Sequence, residues 1–333
     1  MSSTRRTSAA RIRAGIAPTL LCCAAALACR DGTTSAPPAN DVGAATAPPA
    51  TTPSAPAIAG GTAGIPPGRL AFEVESFATR SGDYPGTLPR IYTMRTDGTG
   101  LLALTPAGEI GRAPAWSPDG SRLAYESFHG DAPEIWTVRA DGTGRALVAR
   151  AATEPFWLDD THLGYQCGTS LCAVREDGSQ QRTLLARSAL PNAADFAYEL
   201  SPDGRTILFT RITYAGPGAP TSDVYVMNAD GTGERRLASG DAPQWSPVGR
   251  SVVFASSRYG TAVADADGAA VTSVYGKASN AAWSPAGTEL VFAIGSAVYF
   301  APASGRGDVR RVALPIAFRP DVAFTVNAWA WTR

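Results

Sequence analysis

Residues 114–120 read Pro-Ala-Trp-Ser-Pro-Asp-Gly, and Leu123-Ala124-Tyr125, Ile135-Trp136-Thr137-Val138 and Asp141-Gly142-Thr143-Gly144 follow them. Ser-Pro-Asp-Gly is a type I turn sequence: proline presets φ at the second position and glycine takes the fourth, so the chain reverses between two apolar runs. The aromatic-turn element returns at Phe156-Trp157-Leu158-Asp159-Asp160, Leu200-Ser201-Pro202-Asp203-Gly204, Gln244-Trp245-Ser246-Pro247 and Ala282-Trp283-Ser284-Pro285. Successive anchors lie 41, 43, 45 and 38 residues apart, and a period of this size marks a repeat architecture.

Each unit reads as four short strands. After the turn comes an aliphatic-x-aromatic run with period two: Leu70-Ala71-Phe72, Leu123-Ala124-Tyr125, Leu163-Gly164-Tyr165, Ile207-Leu208-Phe209, Val252-Val253-Phe254 and Leu290-Val291-Phe292. Six copies predict six blades. The third strand of each unit runs into a hairpin signal at Asp97-Gly98, Asp141-Gly142, Asp177-Gly178, Asp230-Gly231, Asp267-Gly268 or Ser304-Gly305, where a tight turn needs positive φ. The first unit lacks an opening strand, whereas Asn327-Ala328-Trp329-Ala330-Trp331 supplies a spare aromatic one. The expected fold is therefore all-β: a six-bladed β-propeller of four-stranded blades, closed by the C-terminal strand completing the first blade, which removes exposed sheet edges. An open hairpin stack or sandwich is the competing architecture, but a sandwich requires no regular four-strand period.

The W-S-P-D-G turn, the L-A-Y/F strand and the A-D-G-T-G hairpin resemble the repeats of the TolB-like six-bladed β-propellers, also described as WD40-like. The resemblance covers about Gly68 to Arg333 and rests on turn and core residues, so it speaks to fold more than to function. TolB itself carries a folded α/β domain before its propeller, whereas residues 31–66 here are rich in Pro, Ala, Thr and Ser and cannot build one. A direct role in the Tol-Pal system is not implied.

Residues 1–29 read as a signal peptide: Arg5, Arg6, Arg11 and Arg13 precede an apolar stretch from Ala14 to Ala28. Its end, Ala26-Leu27-Ala28-Cys29, resembles a lipobox, with Cys29 as the lipidated residue; simple cleavage near Ala28 is the alternative. Residues 30–67 contain almost no large apolar side chain and many prolines, so they are expected to form a disordered tether. The propeller is expected over residues 68–333. Cys167 and Cys172 flank a predicted hairpin and can face each other as a cross-strand disulfide, with two reduced thiols as the alternative.

Five of the 29 basic and two of the 29 acidic residues precede Gly68, which leaves 24 against 27 in the propeller. That balance, without a basic stripe, gives no reason to expect nucleic-acid binding. No Gly-x-Ser-x-Gly elbow and no phosphate-cradling loop occurs, and two scattered histidines, His129 and His162, cannot make a funnel metal site. Asp265-Ala266-Asp267-Gly268 has the look of a calcium-loop fragment but lacks the remaining ligand positions, so it reads as a hairpin turn. Trp116, Trp157, Trp245, Trp283 and Trp329 occupy corresponding places in their units and are read as packing between blades.

Binding residues concentrate on loops held by a rigid scaffold, and the loops entering each innermost strand ring one mouth of a propeller channel. Counting back from each anchor selects Arg112, Glu154, Asp195, Asp241, Asn280 and Thr325 as that mouth. Three acids against one base would favour a cationic peptide segment or a cation, with solvated loop residues that bind nothing as the alternative. The sequence is read as an exported, lipid-anchored, monomeric propeller in the periplasm or outer envelope that binds an envelope protein or peptide. No catalytic activity, cofactor, metal or nucleic acid is expected, and the membrane is touched only through Cys29. The competing readings are a metal-dependent carbohydrate-active hydrolase or lyase using the channel, or a carbohydrate-binding propeller.

Overall fold

The computed structural model of the chain describes residues 58–60, 65–78, 87–129, 132–214, 216, 218–276, 280–294, 297–313 and 322–332. The expected leader, Cys29 and residues 30–57 of the expected tether lie outside them. Strand β1 (Ile58–Gly60) comes first; blade 1 then holds β2 (Arg69–Ala78), β3 (Thr87–Arg95) and β4 (Leu102–Ala103). Blade 2 is built from β5 (Ile110–Trp116), β6 (Arg122–His129), β7 (Ala132–Arg139) and β8 (Ala146–Arg150). Blade 3 comprises β9 (Thr153–Trp157), β10 (His162–Cys167), β11 (Ser170–Arg175) and β12 (Arg182–Leu185). In blade 4 these are β13 (Ala193–Leu200), β14 (Thr206–Thr213), β15 (Thr221–Asn228) and β16 (Arg235–Ser239), and in blade 5 β17 (Asp241–Trp245), β18 (Ser251–Ser256), β19 (Gly260–Asp265) and β20 (Val271–Tyr275). Blade 6 contains β21 (Ala281–Trp283), β22 (Glu289–Ile294), β23 (Ala297–Pro302) and β24 (Val309–Ala313), and β25 (Val322–Thr332) is the last strand.

Within each blade consecutive strands pair antiparallel, and β25 pairs with β2 as the innermost strand of blade 1. The six-bladed ring is thus closed by joining the two ends of the repeat region, as the spare aromatic strand predicts. One addition was not foreseen. Strand β1, inside the expected tether, pairs in parallel with β24 as a fifth strand of blade 6, with Ile58 opposite Val309 and Gly60 opposite Arg311. Ile65 packs against the core, and Thr96 Oγ1 donates to the Pro66 carbonyl at 3.0 Å, so the chain joins the sheets before the expected boundary at Gly68.

The aliphatic-x-aromatic pattern has a structural cause. Leu123 and Tyr125 pack against Ala71, Ile91 and Leu104 of blade 1, whereas Ala124 between them packs toward Leu163 and Tyr165 of blade 3. Both faces of the second strand are buried, each against a different blade. The other interfaces repeat the arrangement: Phe209 with Leu171, Phe254 with Val226, Phe292 with Val274, and Phe72 with Phe300 across the closing seam. Removing one of these buried rings would cost about 3–5 kcal/mol, because the rigid sheets cannot collapse into the space.

The turns behave as their sequence predicts. Gly120 N–H donates to the Ser117 carbonyl at 2.8 Å with Gly120 at φ 69°, and Ser117 Oγ donates to Asp119 Oδ1 at 2.6 Å. In the Asp-Gly hairpins the glycine after the aspartate takes positive φ: Gly142 N–H closes back on the Arg139 carbonyl, and Asp141 Oδ1 caps Thr143 N–H at 2.9 Å. The turn therefore begins two residues before Asp-Gly, and the aspartate serves as an acceptor for the outgoing strand. Asp97, Asp177, Asp230 and Asp267 repeat the cap, which also identifies Asp265-Ala266-Asp267-Gly268 as a hairpin turn.

Tryptophan equivalence needs one correction. Trp116, Trp157, Trp245 and Trp283 face Leu123, Leu163, Val252 and Leu290, and the residue facing Leu70 in blade 1 is Trp331. Trp329 faces Phe72 instead. Two tryptophans spaced by two residues share a strand face, so periodicity cannot choose between them; the register against β2 does. The packing role itself holds, since Trp157 Nε1 donates to the Ala115 carbonyl of the preceding blade at 3.0 Å, and Trp283 Nε1 to that of Gln244 at 3.2 Å.

Candidate functional site at the entrance strands

The entering strands of blades 2 to 5 each break register with their second strand and carry a non-glycine residue in the left-handed region: Ala113, Glu154, Ala197 and Ala242, at φ between 47° and 53°. Such a conformation costs an L-residue on the order of 1 kcal/mol, and its recurrence at corresponding positions marks a shared bulge that bends the strand at the entrance. Measured against this bulge, the six expected mouth residues do not occupy equivalent positions. Arg112 and Asp241 immediately precede the left-handed residue, Glu154 is that residue, and Asp195 lies two residues before it. Asn280 stands just ahead of β21, and Thr325 lies in β25 opposite Glu75, with its side chain outside the described residues. Counting back from an anchor could not detect the bulge. It also started from Trp329 in the closing strand.

Arg112 and Glu154 share a junction between blades 1, 2 and 3. Arg112 faces Glu126 across the β5–β6 pair, and its guanidinium lies 3.9 Å from Glu75. Glu126 is only 1% exposed; its Oε2 accepts the Glu154 backbone N–H at 3.2 Å, and its Oε1 has no hydrogen-bond partner. Burial, followed by the nearby Glu154 charge, pushes the Glu126 carboxyl up to about 8, against the pull of that N–H and of Arg112. Burial also raises Glu154, with Arg112 opposing. Asp241 on blade 5 is likewise raised by burial.

Asp195 sits in a different setting. Its carboxylate takes Arg211 Nε at 2.6 Å and Arg187 at 2.7 Å, and both arginines continue to Glu234, at 2.5 and 2.9 Å. Arg211 also lies over the Tyr225 ring, 4.6 Å from its centroid. Two cations and two anions close this quartet, so Asp195 adds little outward field, contrary to the expected acidic ring. The sequence could not show the pairing: Arg187 comes from the loop before β13, Arg211 from β14, and Glu234 from the turn before β16.

Two further groups escaped the sequence reading. Glu199 of blade 4 accepts the Trp245 backbone N–H at 2.7 Å, and burial pushes its carboxyl up to about 8. Tyr198 beside it stacks on Phe209 and has a buried hydroxyl without a partner. Cys167 and Cys172 are joined as a disulfide with Cα atoms 5.9 Å apart, across the β10–β11 hairpin. His162 is held in its turn by Asp159 at 3.0 Å. Among the described residues no three His, Cys, Asp or Glu side chains converge to hold a metal ion, and no helix is long and apolar enough to cross a membrane.

No protein-family model matches the chain. A TolB homologue from Chlorobium luteolum is 26% identical over 152 residues, which cover 44% of this chain and 33% of the homologue. The TolB crystal structure from Acinetobacter baumannii superimposes with a TM-score of 0.57 at 19% identity, over 79% of this chain and 66% of that one. The chain is a TolB-like six-bladed β-propeller. A chain of a nidogen/laminin complex shares the fold at TM-score 0.55 and 12% identity, over 79% of this chain and 98% of that one. The match spans about a third of the curated TolB relative's length, and likeness at such identities concerns the TolB-like architecture alone.

Proposed function

We propose that this TolB-like propeller is exported, anchored by lipid at Cys29, and binds a protein or peptide partner at the cell envelope through its entrance face, without catalysis of its own. The observation that carries the binding reading is the entrance itself, where a rigid ring holds Glu154 and Asp241 at strained bulges instead of hiding them in ion-pair quartets such as that of Asp195. Local strain maintained by a stable scaffold is a recurrent feature of binding surfaces. A partner with a basic segment fits these two carboxyls, which burial holds back from ionising until a cation arrives. Export is supported by the arginine-flanked apolar leader, and anchoring by the Ala26-Leu27-Ala28-Cys29 junction.

Affinity capture from envelope extract supplies the partner, and calorimetry at two salt concentrations tests the face. Glu154→Gln combined with Asp241→Asn is expected to weaken binding about tenfold and to flatten its salt dependence, because screened charge steers and stabilises a cationic ligand. Unchanged affinity and unchanged salt response would move the binding face elsewhere. For anchoring, a Cys29→Ser precursor is expected to leave the membrane fraction, and the intact mass of the wild-type protein to include two or more acyl chains, since one chain binds only marginally. An unmodified N-terminus at or beyond residue 29 would reject lipidation.

A further inference from the structure

The junction of blades 2 and 3 contains a feature that packing does not explain. Glu126 is buried within the sheets, yet one of its oxygens, Oε1, meets no donor, and the Arg112 Nε beside it is also buried without a partner. Leaving a buried acceptor unmade costs about 1–3 kcal/mol, and an ionised one costs more. Among the groups packed around Glu126, Glu154 of β9 and Glu73 of β2 oppose its ionisation, and Arg112 of β5 favours it. The neighbouring β7 contributes Glu134, which is already ion-paired with Arg150. Glu154 is partly exposed at the entrance, and its backbone N–H is bonded to the Glu126 carboxylate.

We propose that Glu126 and Glu154 form a proton-exchanging pocket for a basic side chain: an ammonium or guanidinium of a bound peptide enters past Glu154, donates to the bare Oε1 of Glu126, and releases to solvent the proton that the pair otherwise shares. This assignment rests on the reading of the entrance as a site for a cationic peptide, and it names the residues that would recognise the charge. The geometry favours a basic side chain over a metal ion, because among the described residues no third His, Cys, Asp or Glu converges here to complete a ligand set, whereas the unpartnered Oε1 suits one directional donor. Exchange of a proton for a cation keeps the buried charge balanced in both states. Without the ligand the pair stays protonated; with it, the incoming cation pays the electrostatic cost of ionising Glu126.

The test titrates a lysine-rich peptide of about twelve residues into the purified protein, in phosphate and in Tris at the same near-neutral pH, so that the difference in heat counts protons. Binding with release of about one proton per peptide, and affinity that strengthens up to about tenfold per pH unit on approaching pH 8, is the expected result. Glu126→Gln keeps an acceptor for the Glu154 N–H and is expected to bind without releasing a proton and with a flat pH response. Equal proton release by the variant overturns the pocket and leaves the acidic entrance standing; failure of the peptide to bind the wild-type protein overturns both. Carbon-13 spectra of glutamate carboxyls in the unsubstituted protein give a second readout. A buried carboxyl that ionises when peptide is added at pH 7 supports the exchange, and the absence of any such change overturns it.

Discussion

Removing residues 327–333 is expected to abolish the cooperative thermal unfolding of the propeller. These residues form the half of β25 that pairs with Arg69, Leu70, Ala71 and Phe72, so truncation strips the inner edge of blade 1 of its ladder. It also removes Trp331, which is buried in the closing cluster and meets Phe300 edge-on at a centroid distance of 5.4 Å. Loss of a buried tryptophan alone costs about 3–5 kcal/mol. Adding the lost strand pairing and the freed ends of the ring brings the total near the whole net stability of a typical domain, about 5–15 kcal/mol. Differential scanning calorimetry decides the matter: a sharp transition near that of the intact protein would mean that the ring does not depend on β25. The milder change Trp331→Ala keeps the backbone ladder, and the difference between the two separates packing from closure.

Stability is expected to fall as pH rises from about 5 to 8, and Glu199→Gln is expected to remove part of that fall. The Glu199 carboxyl is raised from 4.5 to about 8 by burial, with the Trp245 N–H as its sole opposing influence. The unfolded chain releases this proton near pH 4.5, while the folded protein holds it to about pH 8. Stability from the group is therefore complete below 4.5 and is lost progressively as pH climbs through that window. Glu126 acts in the same sense. Because Glu199 retains some contact with water, its share is on the order of a few kcal/mol. Glutamine still accepts the Trp245 N–H without a charge to desolvate, so the variant should melt roughly 5–10 °C higher than wild type at pH 8 and nearly equally at pH 5. Parallel melting curves across the range would remove Glu199 from the explanation. The turn aspartates act oppositely: hydrogen bonds from Thr99, Thr143, Ser179 and Thr232 lower Asp97, Asp141, Asp177 and Asp230, so their caps weaken only as pH falls below the ordinary carboxylate range.

How far the sequence reached follows from the range of each interaction. Ser117-Pro118-Asp119-Gly120 closes on itself within four residues, and Leu123-Ala124-Tyr125 alternates between two buried faces, so turn and strand are both written in local order. Repetition of that local pattern determined the number of blades, and the unmatched aromatic strand determined how the ring closes. What the tertiary structure alone decided depends on contacts between distant segments. The choice of Trp331 over Trp329 needed the register against β2, and the parallel docking of β1 needed the open edge of β24. Glu154 was legible as a rim residue by counting, but its link to Glu126, 28 positions earlier, was not. Asp195 reads in sequence as one more acid of the mouth and is in fact neutralised by Arg187 and Arg211. Local sequence encodes backbone geometry and strand faces through short-range sterics and periodicity, whereas charge and proton affinity at a buried site are set by whichever side chains the closed ring brings within a few ångströms.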